Sequence, residues 1–510
     1  MKPSTLLFWT LMASLLLGAT ALWWSPLNQD EGWYLVAAQR VNQGHLPYRD
    51  FAFTQGPVLP YVYQGALPLI RSFGLLGGRL YSYIWSVLSL LVIVFTLRRH
   101  LPSQYRLFAV TLAISLLGLN PFFAQFSATV KTYSLAGFFL VLALSARIEF
   151  QKSHHPVHIG LCALMLAAAT ATRLSLGLMF IPLGLELVHK RKRLGHNPWM
   201  TFAAAGLLGL APAFVPFLLL APEGLHFGLW EFHAGRMTDA PWLLRAGFLS
   251  RTLQHLLPAA VCLILLIPRW KHWQHGMFPA LTGLALISLF HLFAPYPYDE
   301  YQTLLFPALT LLLAFELPNH LPAEKLTLAA SVATLSCLLF ALSSPVLQGW
   351  FSRGQDRIWI QSANKSQLHQ LRDTAKQLHT LAPGARELFT TDLYLAIEAG
   401  LDVPPGLELG PFCYYPEWTT SRSKKLHVLN AERLADLIEQ SETPLAAFSG
   451  YSFRIQSPSI TPVPEEHFEQ IRQNLLTRYR PVAVAEPFGQ ANTRLDIYQI
   501  KKEPTLLNRE

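Results

Sequence analysis

Charge is scarce in this chain. Asp, Glu, Lys and Arg make up 14% of its 510 residues, against roughly 25% in a soluble protein. Cysteine is scarce too, at four residues. Cys162, Cys262 and Cys337 fall within apolar runs, and Cys413 stands alone in the C-terminal region, so no disulfide can form within that region. There is no GxGxxG, no Walker loop, no CxxC, no zinc-ligand spacing, no tandem repeat and no low-complexity tract. Nucleotide-binding folds and metal-finger modules therefore find no support.

Hydrophobic residues are plentiful, at 52%. Apolar runs of about 18 residues recur, the length that crosses a bilayer as a helix. The spacing predicts eleven spans, at 5–24, 79–97, 105–120, 131–148, 157–172, 174–189, 199–221, 253–268, 276–294, 302–316 and 325–346. The first is read as a span and not a cleaved signal, because Trp23-Trp24 stand where cleavage needs small residues.

The net charge of +9 suggests nucleic acid, but its distribution excludes that partner. After Gln348 there are 18 basic and 19 acidic residues; the preceding part holds 22 and 12. The excess lies in short loops: Arg98-Arg99, Arg147 with Lys152, Lys190 to Arg193, and Arg269 with Lys271. By the positive-inside rule this face is cytoplasmic, with the N-terminus. The 25–78 loop, the 222–252 loop and everything after Gln348 are then outside. The expected fold class is a polytopic α-helical membrane protein with a C-terminal α/β soluble domain. The expected domains are a transmembrane one over 1–347 and an extracytoplasmic one over 348–510. In the latter, Leu368, Leu371, Ala375, Leu378 and Leu381 share a face of a helix starting near Asn364, and strands are expected at 387–390, 445–448, 482–485 and 495–500.

The long outer loop opens with Asp30-Glu31, directly after the first span. It is rich in Trp, Tyr, Phe, Gly and Pro, has Arg49-Asp50 at its middle, and can form interfacial helices at 31–43 and 57–72. Ionisable groups at membrane depth are costly, so each is a candidate for function. Lys131 starts the fourth span, Arg173 joins the fifth and sixth, and His233 and Arg236 lie in LWEFHAGRM. Asp299, Glu300 and Tyr301 lie at the outer end of the tenth span. All map to the outer face. Fixed cations suit a phosphate whose tail is lipid, and a nearby carboxylate can take a proton from an incoming hydroxyl. Each residue also has a plain reading: snorkelling for Lys131, helix-end pairing for Arg173, a solvated loop for Asp299-Glu300.

Asp30-Glu31 after the first span, YLVAAQRVNQGHLPYRDF of 34–51, TRLSLGL of 172–178, EFHAGR of 231–236 and PYDEYQTLLFP of 297–307 together resemble the GT-C superfamily of membrane glycosyltransferases, which includes protein O-mannosyltransferases and the lipid A aminoarabinose transferase. The resemblance implies a polyprenyl-phosphate sugar as donor and a lipid, glycan or protein as acceptor, in a cell inner membrane. It implies Asp30 as catalytic base with Glu31 as its neighbour. Cations among Lys131, Arg173, Arg236 and Arg49 would hold the donor phosphate. Tyr34, Asp50, His233, Glu300 and Tyr301 would contact substrate. The adjacent acids differ from the DxD of some branches, so metal dependence is left open: no cofactor is certain and a divalent metal is possible. Two other classes compete: a transporter or flippase of lipid-linked sugars, which would spread charge through the midplane, and a non-catalytic scaffold.

Overall fold

A computed structural model describes residues 2–190, 197–236, 241–273, 277–353, 361–362 and 365–501. The basic run after Lys190 and Asn364 lie outside the described residues. Helix α1, Pro3–Trp24, ends where Pro26 forbids continuation. Helix α2, Gln29–Asn42, begins at Asn28, whose side chain accepts from the Asp30 amide while the Glu31 carboxylate accepts from the Asn28 amide. This reciprocal cap fixes the helix start. Further helical segments follow at Val58–Tyr63, Gln64–Ala66 and Leu67–Phe73.

Seven helices among the described residues are long and apolar enough to cross a membrane: Pro3–Trp24, Leu75–His100, Thr132–Ser153, Pro198–Leu220, Pro241–His272, Asp299–His320 and Ala323–Ser343. Ser103–Gly118 and Pro121–Ala128 make an eighth if the pair, bent by 67°, is one span. The eleven expected segments are helical, but not all are spans by length. Pro156–Thr172 has 17 residues, Met277–Leu292 has 16, and the α-helix Phe180–Lys190 has 11, against about 20 for a 30 Å core.

Burial sorts the spans. Pro198–Leu220 is only 11% buried and presents apolar side chains outward, whereas Thr132–Ser153 is 72% and Asp299–His320 89% buried. These two central helices begin at Lys131 and Asp299, so the middle of the bundle delivers two of the candidate segments.

The C-terminal part places Gln367–Leu381, capped by Ser366, with Leu368, Leu371, Ala375 and Leu378 inward, on the period-3.6 face. Its antiparallel sheet runs Leu445–Ser449, Thr493–Ile500, Tyr479–Phe488. Phe389 bridges Ala446 in parallel and extends it.

The first of the two expected interfacial helices is covered by protein. Glu31 to Ala38 are buried in succession, because the C-terminal part covers them. At Gly32 a Cβ would sit 2.3 Å from the Tyr394 amide nitrogen, so helix Leu393–Ala399 approaches α2 at backbone distance, which only glycine permits. Around this seam Arg40 donates to the Val403 carbonyl at 2.8 Å and pairs with Glu408 at 3.2 Å. Arg372 pairs with Glu398 at 3.0 Å and reaches the Phe73 carbonyl at 2.8 Å. Loop 222–235 is tied by Lys425 to Glu223 at 2.6 Å and by Arg422 to Glu231. One apolar core runs through the loop and the C-terminal elements.

Candidate active site

A cavity of about 380 Å³ opens where α2, the starts of the two central helices, the 173 junction and the 233–236 segment meet. Asp30 is the second residue of α2. Residues three and four places on share its face, so Trp33 and Tyr34 line the same wall. Glu31 turns the other way.

Lys131 is the centre of the charge arrangement. It stands in extended backbone at the N-cap of Thr132–Ser153, buried at 3% side-chain exposure. Its Nζ lies 2.9 Å from Asp30 Oδ2 and 2.5 Å from Glu300 Oε1. The Tyr133 hydroxyl donates to the same Glu300 oxygen at 3.0 Å. Lys131 thus bridges two carboxylates that would otherwise repel.

Arg173 occupies the extended residue after helix Pro156–Thr172. It donates to Thr132 Oγ1 at 3.1 Å. Its guanidinium stacks 5.0 Å from the Tyr133 ring centre and 4.5 Å from that of Tyr301, so aromatic faces replace water around the cation. Behind it, Gln302 bonds Ser288 at 2.9 Å and His291 at 3.3 Å, and His291 meets Ser175 at 2.9 Å. That chain ties the 299–305 turn to the Arg173 junction. Arg236 lies 4.9 Å from the Phe232 ring and 5.5 Å from Phe412, and its buried Nε has no hydrogen-bond partner among the described residues. Neither Arg173 nor Arg236 has a carboxylate within salt-bridge reach among those residues.

His233 donates Nε2–H to the Thr54 carbonyl at 2.8 Å. Burial pushes its imidazole down to about 4, and Arg236 adds in the same direction. The ring is neutral near pH 7 and leaves Nδ1 as an acceptor. The folded form resists protonation more than the unfolded chain, whose histidine titrates near 6.5. Stability is therefore expected to fall as pH drops from about 6.5 to about 4, at up to about 1.4 kcal/mol per pH unit. Melting temperatures across that window should show the fall, and His233→Gln should flatten it. An unchanged slope in the variant would contradict a buried neutral His233.

Asp30, Tyr34, Lys131, Arg173, His233, Arg236, Glu300 and Tyr301 all line the cavity. Four other candidates do not. Glu31 is fully buried against Arg79, which donates Nε at 2.8 Å and one terminal nitrogen at 2.7 Å. The remaining guanidinium donors go to the Leu22, Ser25 and Pro26 carbonyls. Glu31 thus pins α1 to α2 and the 75–100 helix. Its cap motif, Asn28 followed three residues later by Glu31, was the signal for this placement. Arg49 and Asp50 pair with each other at 2.8 Å, and Asp50 accepts from the Leu46 amide at 2.7 Å. They close their own turn, away from the cavity lining. Asp299 is likewise engaged elsewhere, by Arg251 at 3.1 Å and His255 at 3.2 Å.

Sequence reasoning missed Trp33, Gln55, Tyr133, Tyr296 and Tyr298 in the lining. The last three flank the charged candidates and were legible as neighbours. Phe412, Tyr451 and Gln490 come from the C-terminal part and carry no local signal. The divalent metal left open by the sequence finds no set of three or more His, Cys, Asp or Glu placed to hold it among the described residues. Asp30 and Glu300 meet across an ammonium instead.

No family model and no curated protein matches the sequence. Solved structures do match. ArnT from Cupriavidus metallidurans bound to undecaprenyl phosphate superposes with a TM-score of 0.63 at 13% identity, over 96% of this chain and 97% of that one. Its apo state gives 0.62 over the same shares. AglB, an archaeal oligosaccharyltransferase from Archaeoglobus fulgidus in complex with an inhibitory peptide and a dolichol-phosphate, gives 0.48 at 9% identity, over 87% of this chain and 69% of that one. The likeness to ArnT spans nearly the whole of both chains, through the bundle and the C-terminal elements alike. The chain has the fold of ArnT.

Proposed function

We propose that this chain is a glycosyltransferase that moves a monosaccharide from a polyprenyl-phosphate donor to a hydroxyl acceptor in the Asp30 cavity. One observation carries the reading. Asp30 shares its cavity with Arg173, whose guanidinium lies between two aromatic rings, and with Arg236, whose buried Nε has no hydrogen-bond partner; neither has a carboxylate partner among the described residues. Such cations need an anion, and a phosphate on a lipid supplies one at the edge of a membrane bundle. The undecaprenyl phosphate bound to ArnT supports that choice.

The chemistry follows from the placement. The acceptor oxygen attacks the anomeric carbon and forms the new C–O bond. The bond from that carbon to the phosphate oxygen breaks, and the phosphate leaves with the electron pair. Asp30 takes the acceptor proton. Negative charge grows on the leaving phosphate, where Arg173 and Arg236 meet it. Lys131 holds the Asp30 carboxylate in place through one N–H and has a third N–H for the phosphate. A single displacement inverts the anomeric centre. Tyr34, Tyr301, His233 and Glu300 bound the sugar's space, and no step is routed through a metal.

The division at 347/348, the inner-membrane location and the outward-facing cavity belong to the same reading. They rest on the charge distribution. A reporter enzyme active only outside the cytoplasm should work when fused after Glu510; activity of a cytoplasmic reporter alone would reverse the sidedness.

The test of the reaction is direct. Purified chain in lipid vesicles, given a polyprenyl phosphate carrying a labelled sugar, should release the label to water or to an added acceptor with one polyprenyl phosphate per turnover. A donor that binds and is never consumed would mean a carrier or a scaffold.

A further inference from the structure

The cavity has two chemically distinct walls. The bundle and its loops supply every charged group in it: Asp30, Glu300, Lys131, Arg173 and Arg236. The C-terminal part supplies Phe412, Tyr451 and Gln490, a ring, a phenol and an amide, with no Asp, Glu, Lys, Arg or His. Phe412 is already taken up by Trp33 at 5.5 Å and Arg236 at 5.5 Å. Tyr451 and Gln490 remain to face a ligand.

The turn that carries Tyr451 is held against the α2 helix by a buried carboxylate. Asp392 is 1% exposed and accepts five hydrogen bonds. Its Oδ1 takes Gln29 Nε2 at 3.2 Å, the Tyr394 hydroxyl at 3.2 Å and Ser449 Oγ at 3.0 Å. Its Oδ2 takes the Ser449 amide at 3.2 Å and Ser452 Oγ at 3.2 Å. Ser449 and Ser452 bracket Tyr451, and Gln29 precedes Asp30. Gln490 closes the same seam, its Oε1 accepting from the Gln29 amide at 2.8 Å. The amide NH₂ of Gln490 has no hydrogen-bond partner among the described residues and is left for a ligand's oxygen. Asp392 is thus a positioning residue that sets the turn carrying Tyr451 beside the base.

We propose that this uncharged wall is the acceptor subsite and that it takes an uncharged saccharide. The inference rests on the transfer reaction proposed above and names its second substrate. A phenol ring covers the C–H face of a sugar, and an amide pairs with its hydroxyls. A phosphorylated or acidic acceptor would meet no cation on this wall, and the cations opposite are engaged by the donor.

The test uses the full chain in vesicles with labelled donor and two probes: methyl glycosides of neutral hexoses and pentoses, and methyl glycosides of uronic acids. Label transferred to glycoside is compared with label released to water. The neutral glycosides should be the acceptors. Tyr451→Ala and Gln490→Ala should each lower the ratio of transfer to hydrolysis about tenfold, the loss of one or two polar contacts, through a higher glycoside KM. Asp392→Asn should lower the same ratio, and combining it with Tyr451→Ala should add little, as expected for residues acting through one turn. Tyr451 and Gln490 stand at the surface, so their substitutions report even if Asp392→Asn fails to fold. Preference for the uronic acids, an unchanged ratio, or equal loss of transfer and hydrolysis would each overturn the proposal. Wild-type chain that neither transfers nor hydrolyses would instead defeat the donor reaction itself.

Discussion

Asp30→Asn is expected to cut turnover by about 10²–10⁴, the usual contribution of a positioned base. Asparagine keeps the shape of the side chain and an oxygen for Lys131, so α2 and its Asn28 cap persist. What it removes is the capacity to accept the acceptor's proton. Binding of polyprenyl phosphate should survive. Glu31→Gln is the informative companion. Glu31 forms a buried pair with Arg79, and breaking such a pair costs about 3–5 kcal/mol of stability. The companion should therefore lower the melting temperature and the yield more than Asp30→Asn does, because Lys131 keeps Glu300 as a partner and Asp30 is partly exposed. If the Asp30 variant turns over normally, the base is another group and the proposed chemistry fails.

The second large effect is expected at Arg173. Arg173→Met should lower kcat by about 10²–10³, in line with the loss of one charge-stabilising donor, and should weaken binding of polyprenyl phosphate as well. The guanidinium is sandwiched by Tyr133 and Tyr301 and anchored on Thr132. A lysine there has neither the flat face for the rings nor the fork for two phosphate oxygens, so Arg173→Lys should recover little. Rates and lipid-phosphate affinity of the three proteins, measured together, decide the matter. Full activity of the methionine variant would remove Arg173 from the site.

Much of the cavity was legible along the chain because charge near a bilayer is rare and expensive. Lys131, Arg173 and Glu300 stood out at helix ends and Arg236 in an outer loop for that reason, and the fold gathers them around Asp30. The misread residues failed for local causes. Glu31 had a capping partner three residues back and a buried arginine 48 residues on. Arg49 and Asp50 satisfy each other as adjacent residues. The number of spans is less legible, because three of the eleven apolar segments form helices of 11 to 17 residues, at or below the usual spanning length. The cover over α2 was not legible at all. It depends on contacts such as Gln29 with Gln490, 461 residues apart, and on the backbone approach at Gly32. No periodicity records those.

The central claim is that a lipid phosphate sits among Arg173, Arg236 and Lys131, facing Asp30. An experimental structure of the chain with polyprenyl phosphate tests it most directly. The expected result places phosphate oxygens within about 3 Å of the Arg173 guanidinium, with room for a sugar between phosphate and Asp30. A phosphate bound more than about 10 Å from Asp30, beyond a screening length, with Arg173 and Arg236 still unpaired, would contradict it.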